Sequence, residues 1–322
     1  MTTRCRRPWL RRNSFPAARP TRSATLCVAF PLVQPIVSSP SSRLSSLFVE
    51  HLTVIDCARF DARRGLVGES WIVDIELIGE LDAQSMVLDF GEVKKRLKRA
   101  LDDSADHTLL VPLRDRGLTL QAGRERIDLA YSGAAGLIEH ASPACAVTLV
   151  DAELVSADTL ATHLMPMLKT VVPDNVAELR LSLRDELIDG PRYHYTHGLK
   201  KHAGHCQRIA HGHRSRIEIR IDGARDEALE AAQAARWADI YLGTREDLKS
   251  SANGRHRYEY VSAEGAFTLE LPAARCELLD ADTTVECIAD HLADVVAAER
   301  PGHDIAVRAY EGVMKGAMAH RA

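Results

Sequence analysis

The sequence predicts an α+β protein made of two copies of one unit, each running strand, strand, helix, helix, strand, strand. Three observations carry this reading. GESWIVDIELIGELD at residues 68–82 aligns without gaps on GHRSRIEIRIDGARD at residues 212–226, so that Val73, Ile75 and Leu77 match Ile217, Ile219 and Ile221. Apolar residues at every second position mark a strand with one buried face. SADTLATHL at residues 156–164 matches TVECIADHL at residues 284–292, and each of these segments is followed by another alternating run, Leu179, Leu181 and Leu183 in one case and Ile305, Val307 and Ala309 in the other.

Taken in order, residues 1–46 stand apart, being rich in Arg, Ser and Pro and free of Asp and Glu. Their composition matches a transit peptide. A disordered extension or an over-long gene start is the preferred reading, because Leu47, Phe48 and Val49 look like the opening of the first strand. The first unit is expected at residues 47–188 and the second at 189–322. In the first, Asp89 caps a helix with Glu92 three residues on, and Phe90, Val93, Leu97 and Leu101 share one face. Lys94, Lys95, Arg96, Lys98 and Arg99 fill the remainder, as on a solvated helix surface. In the second unit, Thr283 with Glu286 reads as a capping box, ahead of Ile288, Leu292 and Val295 or Val296.

Composition bounds the function. A net charge of −4 argues against a general grip on nucleic acid, and no apolar run approaches the ~20 residues that span a bilayer. The cysteines, at 5, 27, 57, 145, 206, 276 and 287, form neither a CxxC pair nor a disulfide framework, which fits a reducing cytoplasm. Trp9, Trp71 and Trp237 show no stacking pattern suited to nucleic acid. Cys57, in an apolar strand, reads as a buried inert thiol. His163 and His291, at matching helix positions, read as packing or surface residues.

The chemistry concentrates between residues 194 and 213, which hold six histidines and one cysteine. Neutral imidazoles are good zinc ligands, and a catalytic zinc takes three protein ligands and leaves a position open. His211 and His213, one residue apart on a strand, point to the same side, and Gly212 between them lets the backbone come close. The third ligand is one of His197, His194, His202 and His205; spacing alone does not choose. The same histidines also fit a polar surface loop, but their place at the leading edge of an Ile-rich strand, with Cys206 close behind, favours a metal.

THGL, then a cysteine, then HGH resembles the zinc and cysteine signature of the 6-pyruvoyltetrahydropterin synthase and 6-carboxytetrahydropterin synthase family. The resemblance implies that His197, His211 and His213 are the Zn2+ ligands and Cys206 the catalytic base, with four residues between Cys206 and His211 where bacterial members have three. It extends to MVLDFGEVKKRLKRALDDSADHTLL, where Asp106 and His107 match the family's catalytic Asp-His pair, and to VRAYEGVMKGA, where Glu311 matches the glutamate that anchors the pterin. Glu186 is its counterpart in the first unit. Where the second unit has HGH the first has Val67, Gly68 and Glu69, and no Asp-His pair follows the second unit's first helix, so each lacks what the other keeps. Such complementary loss is what one surviving composite site, closed within a chain or between chains, would leave; the other reading is a first half kept as a decayed structural copy, against which the retained Asp-His segment argues.

For the fold, the resemblance implies two tandem tunnelling-fold (T-fold) repeats, each an antiparallel four-stranded sheet with two helices on one face, joined into a homo-oligomer. For the activity, it implies a lyase acting on 7,8-dihydroneopterin triphosphate, a small-molecule substrate, with loss of triphosphate and acetaldehyde. The product would be 6-carboxy-5,6,7,8-tetrahydropterin, a queuosine precursor. The alternatives are 6-pyruvoyltetrahydropterin formation, as in tetrahydrobiopterin-type pathways, and a non-catalytic zinc- or pterin-binding protein. Lys200, Lys201, Arg208 and the metal are the cations expected to favour the Cys206 thiolate.

Overall fold

The computed structural model describes residues 44–322. The expected N-terminal extension therefore lies outside the described residues, except that the first strand opens at Leu44, three residues before Leu47. The first half runs β1 (Leu44–Asp61), β2 (Gly65–Glu80), α1 (Phe90–Ser104), β3 (Leu109–Pro112), β4 (Leu118–Ala122), β5 (Arg126–Gly133), β6 (Gly136–Pro143), β7 (Val147–Val150), α2 (Ala157–Lys169) and β8 (Val176–Asp185). The second half runs β9 (Arg192–His197), β10 (His211–Ile221), β11 (Ala224–Arg225), α3 (Glu227–Arg236), β12 (Ala238–Thr244), β13 (Leu248–Ala252), β14 (Arg255–Ser262), β15 (Gly265–Pro272), β16 (Cys276–Leu279), α4 (Val285–Glu299), β17 (Ile305–Tyr310) and β18 (Gly316–Arg321).

The two halves repeat one topology. The first sheet has the order β7-β3-β1-β2-β8 and the second β16-β12-β9-β10-β17-β18, with β11 paired to β10. The chain is thus a two-repeat α+β protein, but the expected four antiparallel strands per sheet become five or more of mixed direction. β3 runs parallel to β1 and to β7, and β12 runs parallel to β9 and to β16. Parallel pairing needs a crossover of a dozen or more residues. α1 supplies it before β3, and the β4, β5, β6 meander supplies it before β7. Those meander strands join β13, β14 and β15 in a third sheet, β13-β14-β15-β6-β5-β4, which ties the halves together through β15 and β6.

Helix ends follow local chemistry. The Asp89 carboxylate accepts from the Gly91 amide at 2.9 Å, and Val93, Leu97 and Leu101 are buried below it. Ser156 and Thr159 form a reciprocal capping box on α2. On α4 the cap is Thr284, one residue later than expected, and its hydroxyl accepts from the Cys287 amide. Thr283 is displaced from that duty because it is buried and bonded to His197. Leu97, Leu101, Leu160 and Leu164 pack on Val73, Ile75 and Leu77 in one core, and Ile288, Leu292 and Val296 pack on Ile217, Ile219 and Val307 in another. Cys57, Trp71 and Trp237 lie in these cores.

The halves meet where Gly68 of β2 crosses Gly212 of β10. A Cβ on Gly68 would stand 2.0 Å from the Tyr195 carbonyl oxygen and 2.6 Å from the His213 nitrogen, and one on Gly212 would stand 2.7 Å from Gly68 Cα. These are main-chain atoms that cannot swing aside. Gly68→Ala is expected to cost about 3 kcal/mol or more of stability, since even ordinary overpacking costs 1–3. Gly91→Ala, where the nearest atom to the new Cβ is 3.5 Å away, is expected to be neutral or stabilising by a few tenths of a kcal/mol. Urea unfolding of the two variants checks this; equal midpoints would contradict it.

Candidate active and metal site

β9 and β10 pair so that His197 faces His211, with Tyr195 facing His213. The three imidazoles converge, with ring centroids 4.5 Å (His197 to His211), 5.3 Å (His197 to His213) and 5.6 Å (His211 to His213) apart. All three are at most 1 % exposed, and their ligand atoms lie within 4.8 Å of one another. His197 Nδ1 bonds the Thr283 carbonyl at 2.9 Å, and His211 Nδ1 bonds the Arg208 carbonyl at 2.9 Å. A carbonyl only accepts, so each Nδ1 carries the proton and each Nε2 presents a lone pair. Both Nε2 atoms are buried without a partner. Burial and the neighbouring rings hold His197 and His211 well below the usual imidazole range, in the neutral form a metal requires.

Buried lone pairs without donors are costly, and a divalent ion between three imidazoles answers that cost. The residues therefore fit the implied metal. Of the other third-ligand candidates, His194 bonds the Gly68 carbonyl at 2.7 Å, His202 accepts from the Gly204 amide at 3.0 Å, and His205 pairs with Glu264 at 2.9 Å.

Asp106 and His107, at the end of α1 in the first half, reach this cluster within the same chain. The His107 ring centroid is 5.0 Å from that of His211, and the ligand atoms of His107, Cys206 and His211 lie within 4.8 Å of one another. His107 takes a left-handed backbone (φ 52°), its amide donates to the Asp56 carbonyl at 2.6 Å, and its Nδ1 sits 2.8 Å from the Asp106 carboxylate. Burial alone would lower its pKa, but bonds to Asp106 and Cys206 outweigh that and raise it to about 10. A charged His107 thus stands beside Cys206, in the place expected for Lys200 and Lys201. Lys200 and Lys201 do not serve, because Lys200 is taken by Glu246 and Asp247 at 2.7 and 2.6 Å and Lys201 by Asp282 at 2.9 Å.

The turn carrying Cys206 is clamped from both halves. Glu264, in the hairpin between β14 and β15, accepts from Arg208 at 2.9 and 3.2 Å and contacts His205. The Gln207 side chain accepts from Ser262 and the Glu264 amide. Arg208 also reaches toward the Asp106 and His107 carbonyls, at 3.5 Å each. Beside His107 opens a cleft of about 490 Å³ lined by Lys95, Lys98, Arg99, Asp102, Asp103, Asp106, His107 and His205. Glu311 follows β17, with Oε1 4.0 Å from His213 Nε2. Glu186 is buried, with one carboxylate oxygen unpartnered. The site contacts of Asp56, Ser70, Thr283, Glu264 and Lys315 were not visible in the sequence, because each meets the site only through residues distant in the chain.

The corresponding place in the first half is filled differently. Register matches Arg59, Val67 and Glu69 to His197, His211 and His213. The Arg59 guanidinium there contacts Glu69 at 2.9 Å and Asp61 at 3.1 Å. Two residues before the strand position that pairs next to it stands Asp239, left-handed like His107 (φ 58°) and bonded to Arg64 at 2.9 and 2.5 Å. A fixed guanidinium occupies what would otherwise be a second metal position.

Burial tends to raise the Glu264 carboxyl, but His205 and Arg208 overcome this and lower it to about 2. Its folded pKa thus lies below the unfolded value of about 4.3, so its stabilisation is present above pH ~4.3 and is lost as pH falls towards 2. Glu264→Gln is expected to lose about 2 kcal/mol at pH 7, with the gap to the unaltered protein closing between pH ~4.3 and 2. Chemical unfolding at a series of pH values checks it; a gap independent of pH would contradict an ionic origin.

A family profile described as 6-pyruvoyl tetrahydropterin synthase matches residues 54–186. Among solved structures, the chain is similar to the 6-pyruvoyl tetrahydropterin synthase of Plasmodium vivax, at 19 % identity over 44 % of this chain and 98 % of that one, with a TM-score of 0.32. It is also similar to the Plasmodium falciparum synthase, at 15 % identity with the same coverages and a TM-score of 0.35. No curated protein matches the chain. Among the described residues, no helix is long and apolar enough to cross a membrane.

Proposed function

We propose, from the match of residues 54–186 to the 6-pyruvoyl tetrahydropterin synthase profile and from the geometry of the site, that the chain is a metal-dependent lyase converting 7,8-dihydroneopterin triphosphate and water to 6-carboxy-5,6,7,8-tetrahydropterin, triphosphate and acetaldehyde. The observation that carries this reading is the meeting of His107 from one half with Cys206 and His211 from the other. A protein that only bound pterin or metal would need no acid and base beside the three histidines.

In this reading His197, His211 and His213 hold the metal, which supplies Lewis-acid polarisation of the substrate side-chain oxygens. Cys206, as thiolate, takes a proton from the side-chain carbon. His107, kept charged by Asp106, returns or relays a proton on the far side. The Glu311 carboxylate accepts two parallel N–H bonds from the amidine edge of the pterin ring, orienting the side chain toward the histidines. Arg208 keeps Cys206 and His107 in mutual reach through its contacts with Glu264 and the first-half carbonyls.

We read the working form as a homo-oligomer. Among the described residues β7 and β8 end one sheet and β16 and β18 end the other, and open edges of this kind invite pairing with further copies.

Mass spectrometry of the products formed from dihydroneopterin triphosphate by the zinc-loaded protein tests the activity and separates the carboxy product from a pyruvoyl one. Cys206→Ala and His107→Ala are each expected to slow turnover by about 10²–10⁴-fold while retaining zinc. Substrate left intact by the unaltered, zinc-loaded protein would overturn the reading.

A further inference from the structure

Asp56 stands in β1 between Ile55 and Cys57, both fully buried, and is itself 3 % exposed. A carboxylate so placed is costly unless it is paired, and its partners come from three separate parts of the chain. Ser70 of β2 donates its hydroxyl to Oδ1 and in turn accepts from the Arg214 amide of β10 at 3.2 Å. Lys315, beyond β17, brings Nζ to 3.2 Å from Oδ2. His213 of β10 brings Nδ1 to 3.2 Å from Oδ1, an ion-pair contact rather than an aligned hydrogen bond. Gly312 (φ 70°) closes over the group, since a Cβ there would stand 2.6 Å from Oδ1.

The main chain of the same residue holds the other part of the site. The Asp56 amide donates to Asp106 Oδ1 at 2.9 Å, and its carbonyl accepts from the His107 amide at 2.6 Å. One first-half residue therefore touches a second-half imidazole with its side chain and the Asp-His pair with its backbone.

The three histidines are unequal in this respect. His197 and His211 are oriented by carbonyls of their own half, from Thr283 and Arg208. His213 has no carbonyl at Nδ1, and the group that faces it there is Asp56. The second-half residue matching Asp56 in register is His194, since Asp56 pairs with Ser70 and His194 with Arg214. His194 likewise crosses to the other half, where it meets the Gly68 carbonyl and Glu69. The crossing is a property of the repeat; the carboxylate on an imidazole occurs in one direction only.

We propose that Asp56 is a positioning residue for the metal centre formed by His197, His211 and His213: its carboxylate, 3.2 Å from Nδ1 of His213, holds that edge of the ring and leaves Nε2 to the ion, and its main chain sets Asp106 and His107 against that centre. This rests on the metal-binding reading given above. A carboxylate on the outer nitrogen of a ligating imidazole raises the basicity of the inner one and fixes its orientation. Substituting the side chain leaves both main-chain bonds in place, so the two tasks can be tested apart.

The test is zinc affinity, measured by competition with a chromogenic chelator, for the full chain and for Asp56→Asn, which keeps the size of the group and removes its charge. Asp56→Asn is expected to bind zinc about 10–100-fold more weakly, with the Co2+-substituted protein changing its visible absorption. In a His213→Ala background the same substitution is expected to produce no further loss, because its route to the metal is already gone. If Asp56→Asn does not fold, Ser70→Ala, which removes only the hydroxyl holding the carboxylate, is expected to weaken zinc several-fold. Affinity within twofold of the unaltered protein in the folded variant, or equal losses with and without His213, would overturn the inference alone. Failure of the unaltered protein to bind zinc would overturn both it and the proposed function.

Discussion

The site depends on the approach of two strands that no side chain separates. At Gly68 and Gly212 the main chains of β2 and β10 pass in direct contact, closer than any residue with a Cβ allows. That contact lays the histidine strand of the second half against β1 and β2 of the first. Asp56 then faces His213, Ser70 meets the Arg214 amide, and the segment after α1 comes up beside His211. The third sheet fixes the same arrangement from the other end, by pairing β6 with β15 and presenting Glu264 to the turn that carries Cys206. A two-residue contact and one hairpin thus position groups more than 100 residues apart in the chain.

The near-symmetry of the halves makes their differences interpretable. The positions of the three imidazoles in one half are held in the other by Arg59, Val67 and Glu69, with the Arg59 guanidinium paired to Glu69 and Asp61, and the position of His107 by Asp239. An arginine cannot be deprotonated and cannot exchange, so it satisfies the buried Glu69 carboxylate permanently. The three histidines, the Cys206 thiol and the His107 imidazole are concentrated on one side of the pseudo-symmetric pair.

Much of this was legible in the sequence because it was written in short-range patterns. Alternation in residues 71–77 and 217–221 gave the central strands, and Asp89 and Ser156 gave helix starts, since a cap and its amide are only two or three residues apart. The histidine pair in HGH was readable because two residues along a strand return to one face. What stayed hidden depends on pairing between distant strands. The parallel strands β3 and β7 are four residues long and too short to show a period. Thr283 and Thr284 are equivalent as caps until the position of His197 chooses between them. Asp56 in VIDC looks like a stray polar residue, and only the register of β1 against β2 and the crossing of β10 give it partners. Lys200 and Lys201 looked like aids to Cys206 because nearness in sequence says nothing of Glu246, Asp247 and Asp282.

The central claim is that one chain completes the site, the first half giving Asp106 and His107 and the second giving Cys206 and the histidines. Complementation tests it directly: His107→Ala and His213→Ala chains are unfolded together, refolded as a mixture, and assayed for release of triphosphate from dihydroneopterin triphosphate. If the site closes within a chain, every site in the mixture lacks one group and activity stays at the level of the separate variants. Recovery of activity on mixing would show that His107 of one chain serves the histidines of another, and would contradict the account.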